Sequence, residues 1–117
     1  MKAGAVAAVL VAVLMSGEAT AAHNDGTILL QTCKAHLAGK LTFDTGVCLG
    51  SMATIGDLIG AINLMVGPSH RICPPPEATI DHLVRVTVEY LEDHPDKLNR
   101  NATNLTVMAL QTSFPCK

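Results

Sequence analysis

The chain has no tryptophan, one tyrosine and two phenylalanines, so aromatics make up only 3% of its 117 residues. A core without large rings has little area to bury per side chain, and a domain of this size then gains from covalent staples. Charge is scarce as well: 15% of residues are Asp, Glu, Lys or Arg, and the net charge is −2. There is no basic excess to neutralise phosphates, which excludes a nucleic-acid partner. The 49% hydrophobic content excludes a disordered tail, which lacks the apolar area needed to order itself. Motifs of catalysis and metal binding are missing too. The cysteines have no paired C-x2–4-C spacing for zinc. No histidines stand at H-x3-H, no serine has the G-x-S-x-G setting of a nucleophile elbow, and no P-loop or dinucleotide-binding pattern occurs. These absences argue against an enzyme, a metal site and any cofactor, and leave binding as the default function.

What is present begins with an export pattern. Met1-Lys2 gives a short positive start, Ala3 to Met15 is uncharged, Ser16-Gly17-Glu18 turns polar, and Ala19-Thr20-Ala21 supplies small residues. That order matches a secretory signal cut after Ala21 or Ala22. The alternative, a membrane anchor, needs an apolar run of ~20 residues, longer than Ala3–Met15. The expectation is a signal peptide at 1–21 and a single domain at 22–117. Without the first segment the composition is that of an ordinary soluble domain.

The remaining chain predicts an all-α, compact bundle of about four helices. The first follows Asn24 or Asp25 as N-cap, places Leu29, Leu30, Cys33 and Leu37 roughly on one side, and stops at Gly39. The second spans about Val47 to Val66, with Asp57 as its only charge. Its length invites a membrane reading, but interior glycines weaken a lone helix and a mid-membrane Asp57 is costly, so a central buried helix is preferred. Gly56 and Gly60, four residues apart, permit close approach of another helix. The third follows Thr79: Ile80, Leu83, Val84, Thr87, Val88 and Leu91 form an apolar stripe of 3.6-residue period. The fourth is expected to start around Pro95 and carry Leu98, Ala102, Leu105 and Ala109 towards Thr112. Between the second and third, Pro74-Pro75-Pro76 forms a stiff extended rod, either a connector or a recognition surface.

All four cysteines, Cys33, Cys48, Cys73 and Cys116, lie in the exported part. An even count in a small exported chain predicts two disulfides. The short His94-Pro95 turn makes the third and fourth segments antiparallel neighbours, which returns Cys116 to the side of Cys73. Cys33 and Cys48 flank the first turn in the same way. Among three connectivities, Cys33–Cys48 and Cys73–Cys116 are preferred, giving two helical hairpins each closed by a disulfide. The five histidines read as surface or turn residues, and the two Asn-x-Thr patterns at Asn101 and Asn104 as chance.

A resemblance then enters on particular residues. Cys48-Leu49-Gly50, Gly56-Asp57 and Ile72-Cys73-Pro74-Pro75 run in an order that resembles periplasmic immunity proteins of type VI secretion amidase effectors, the Rap/Tai type. Leu83 through Tyr90-Leu91, His94-Pro95, Ala109-Leu110 and the ending Phe114-Pro115-Cys116 continue it. The chain departs from that pattern at Ser51, where the family often has an aromatic, and at His82, where it often has glutamine. The resemblance implies a small helical, disulfide-linked periplasmic protein, often a homodimer, that binds a secreted peptidoglycan amidase and plugs its catalytic cleft. No chemistry is asked of such an inhibitor, only a rigid surface. The contact is placed on the polar face of the third segment, with His82, Arg85 and Glu89, helped by Pro74, Pro75 and Pro76. The alternatives are a periplasmic acid-stress chaperone and an orphan envelope interaction protein on the same scaffold.

Overall fold

A computed structural model describes residues 24–117; the expected signal segment at 1–21 lies outside them. The described residues form four α-helices and two isolated β-bridges, with no named strand. Helix α1 is Gly26–Leu37, capped by Asp25, whose carboxylate accepts from Ile28 N at 3.0 Å. The chain leaves α1 through Gly39 at φ +81°, a left-handed conformation that a Cβ disfavours. Helix α2 is Phe43–Met65. It starts earlier than the expected Val47 because Thr42 and Thr45 form a capping box, each hydroxyl accepting from the other residue's backbone N–H. Threonine stands there in place of the usual Glu or Gln, which hides the signal.

Helix α3, Ile80–Asp93, begins as its periodicity predicts, with Thr79 accepting from His82 N. Helix α4 is Ala102–Ser113, capped by Asn101. The expected start at Pro95 is corrected: Pro95–Lys97 is one 3-10 turn, and Leu98 lies in the connection. The reason lies at the other end of the chain. Gly26 N donates to Arg100 O, Thr27 N to Leu98 O, and Ala102 N to Asn24 O, at 2.9–3.2 Å. The Leu98 and Arg100 carbonyls thus serve the N-terminal segment and are lost to a helix running through them.

The helices pair as predicted, α1 with α2 and α3 with α4, and α3 also packs across α1 and α2. Cys33–Cys48 joins the first hairpin, with Cα atoms 5.2 Å apart, and Cys73–Cys116 closes the second at 5.0 Å. The closed loops span 15 and 43 residues, worth about 3 and about 4 kcal/mol by loss of unfolded-chain entropy. The core is aliphatic: Met52, Val84, Leu91, Leu105 and Leu110 are fully buried. Buried Thr106 donates to Ala102 O and so stays satisfied. His36 and Lys34 of α1 pair with Asp81 and Glu92 of α3 at 2.8 and 3.6 Å, contacts worth at most about 1 kcal/mol each at a wet surface.

The expectation of a central buried α2 is corrected in part. Its buried residues, Thr45, Cys48, Met52 and Ile55, end near its middle, and beyond them Ile59 and Ile62 are only partly buried against the core. The cause is length. With 23 residues, α2 runs about 35 Å, against about 18 Å for α1 and about 21 Å for α3, so its neighbours cannot cover it. It is long and apolar enough to cross a membrane by length and composition. Of the two spaced glycines, Gly56 lies beside Leu83 of α3, whereas Gly60 faces open space.

Gly26 is the tightest point of the N-terminal junction. A Cβ there would meet Leu105 Cδ1 at 2.5 Å and Leu98 Cα at 2.9 Å. Gly26→Ala is expected to lower unfolding stability by about 1–3 kcal/mol through overpacking. Urea denaturation, compared with an exposed control substitution such as Thr27→Ala, checks it.

Candidate binding surface

The polar face of α3 follows from its 100° advance per residue. Asp81 and Glu92 stand near one border, where they meet His36 and Lys34 of α1. Arg85 and Glu89 occupy the middle of the exposed arc and form no ion pair among the described residues. His82 sits towards the other border, with its ring edge-on to Phe114, centroids 5.2 Å apart. Thus His82, Arg85 and Glu89 do share one exposed stripe. Their fixity differs, because His82 is braced by an aromatic partner.

The proline segment has a different orientation. Its entry is held from three directions. Asn63 of α2 clamps Ile72 with both ends of its amide, Nδ2 donating to Ile72 O and Oδ1 accepting from Ile72 N, each at 2.8 Å. Ile72, itself buried, bridges to Pro115. Cys73 N donates to Phe114 O at 2.7 Å, next to the disulfide to Cys116. Beyond the prolines, Ala78 N donates to Pro75 O, and Thr79 caps α3.

Pinned at both ends, Pro74, Pro75 and Pro76 form one wall of a cleft of about 370 Å³. Met52 and Asp57 of α2 and Leu83 of α3 are among its other walls, whereas His82, Arg85 and Glu89 are not. The structure therefore separates two surfaces that the sequence reading joined. The prolines connect α2 to α3 and also line this cleft, and the stripe lies on another side of α3. They remain linked through Phe114, which touches His82 and accepts from Cys73.

Other histidines are used structurally. His94 Nδ1 donates to Tyr90 O at 2.7 Å and its ring stacks on Tyr90, while Lys97 Nζ donates to the Tyr90 hydroxyl. Among the described residues no three His, Cys, Asp or Glu side chains gather in a way that suits a metal ion. Sequence reasoning missed Asn63. It also missed the apolar surface left on α2: Phe43, Leu64 and Met65 are 87%, 88% and 84% exposed. The capping pair beside Phe43 was the one available signal, since it moves the helix start to that residue.

Comparison with known proteins gives one positive finding. A family model described as Rap1a immunity proteins matches residues 25–116. No curated protein and no solved structure matches.

Asn63→Ala removes both partners of the buried Ile72 backbone. A loss of about 1–3 kcal/mol is expected, the cost of an unsatisfied buried group. Faster amide exchange at Ile72 than at Leu91 of the core would locate the effect at the clamp.

Proposed function

The chain belongs to the Rap1a immunity protein family, and on that footing we propose that it protects the periplasm by binding a peptidoglycan amidase delivered through type VI secretion. The family match over nearly all of the described residues carries this reading. Occlusion of the enzyme's cleft requires a surface that stays in shape, and two disulfides plus the clamped proline segment supply it. Rigid surfaces lose less entropy on association than flexible ones. The family match favours this reading over an acid-stress chaperone.

Periplasmic location is part of the proposal. Two disulfides suit an oxidising compartment, and the N-terminal pattern suits removal of residues 1–21 before the matched region begins at residue 25. The protein acts without catalysis or cofactor: it covers the amidase's catalytic cysteine and histidine and excludes substrate. The stripe of His82, Arg85 and Glu89 makes the contact. Arg85 and Glu89 have free heads to offer a partner, and Phe114 behind His82 keeps that ring from collapsing.

A second copy of the chain is assigned to the bare side of α2. Phe43, Val47, Thr54, Leu58, Ala61 and Met65 recur at helical spacing along one uncharged stripe. Its apolar ends suit an antiparallel two-fold, in which each end meets the other.

Two outcomes are expected. Reversing charge with Arg85→Glu and Glu89→Lys weakens binding to a cognate type VI amidase by about tenfold or more, each lost charge contact being worth about 1 kcal/mol. Calorimetric titration reads this, and unchanged affinity would remove the stripe from the interface. Sedimentation equilibrium is expected to show a dimer that Phe43→Glu with Met65→Glu converts to monomer at unchanged helicity.

A further inference from the structure

The cleft between α2 and the proline wall has no task in the function proposed above, yet its construction is specific. It is held open by fixed elements: Asn63 and the Cys73–Cys116 disulfide anchor the wall at one end, and the α3 cap at the other. Its one formal charge is negative. Three consecutive prolines bring carbonyls and no N–H, and Pro75 O already accepts from Ala78 N. The Thr79 hydroxyl accepts from His82 N. Asp57 is the one charged side chain among the lining residues, and it forms no ion pair among the described residues. Met52, Ile59 and Leu83 make the flanks apolar.

An apolar trough with a single unpaired carboxylate suits a ligand with a long apolar stem and a cationic, hydrogen-donating end. Asp57 is exposed to solvent; it disfavours an anion, and a purely apolar group gains nothing from it. Lysine and arginine have the required form, burying their methylene stems while the head finds an anion.

We propose that this cleft is a socket for one arginine or lysine side chain presented by the effector, with Asp57 receiving its charge. The identity of the presenting protein rests on the immunity reading; the chemistry of the socket does not. Arginine is the better occupant, because its planar fork can pair with both carboxylate oxygens. The socket adds a second point of attachment beside the α3 stripe and fixes the orientation of the bound enzyme.

The test has two arms. In the first, the isotope-labelled protein is titrated with Nα-acetyl-arginine amide and, separately, with Nα-acetyl-norleucine amide, which has an aliphatic side chain without the charge. The arginine probe is expected to shift the amides of Ala53, Asp57 and Ala78 saturably, and the norleucine probe to do so several-fold more weakly. Asp57→Asn should weaken the arginine probe by about two- to fivefold, the range for a solvent-exposed charge pair, with an unchanged melting temperature. Absence of those shifts, equal response to the two probes, or full retention in Asp57→Asn overturns the socket. In the second arm, wild type and Asp57→Asn are compared for binding to a cognate type VI amidase. A similar loss supports the proposal, and equal affinity overturns it. If wild type binds no amidase, the immunity reading fails, and the first arm alone decides the socket.

Discussion

The covalent link between Cys73 and Cys116 ties the last residues of the chain to its middle, and the proline-bearing end of the molecule is organised around it. Beside it lie the Ile72–Pro115 bridge and the Cys73–Phe114 hydrogen bond. Phe114, held there, braces His82 on α3. In the other direction the same anchor sets the line along which the prolines leave towards α3. A chain with three aromatic side chains has little large-ring packing with which to hold such a segment. Here a sulfur bridge, an asparagine amide and a few backbone contacts do that work, each with fixed geometry and modest area.

The long helix α2 divides the molecule's labour. From its start to its middle it belongs to the core through Cys48, Met52 and Ile55; beyond, Ile59 and Ile62 keep partial contact and the last turn extends past the neighbouring helices. Asn63, near the far end, adds a polar contact to that partial apolar burial. The overhang exposes apolar side chains that a solitary domain has little reason to show. The same helix therefore serves three surroundings along its length: the core, the connecting segment and an open surface.

Much of this was legible in the sequence, and for identifiable reasons. The caps Asp25 and Thr79 and the apolar stripe of α3 are local signals, so they predicted local structure correctly. The disulfide pairing followed from the order of hairpins, a property of chain layout. What escaped was non-local or disguised. The Thr42–Thr45 box uses an uncommon partner residue. The connection before α4 stays unwound because Leu98 and Arg100 give their carbonyls to Gly26 and Thr27, at the far end of the chain. Asp57 gains a setting only when the prolines fold across from it, and the Asn63 clamp joins residues that no periodic pattern relates. The prolines and the α3 stripe looked like one surface because they are near in sequence; helical rotation at the start of α3 sets them on different sides.

The N-terminal junction has a consequence for how the fold closes. Asn24, Gly26 and Thr27 complete their hydrogen bonds with residues 98–102, so the start of the first helix is secured only when the segment before the last helix is in place. The two hairpins are thereby latched to each other by backbone contacts as well as by apolar packing. Loosening the connection before α4 frees the start of α1, and the reverse holds as well: the earliest and latest helices share one fastening.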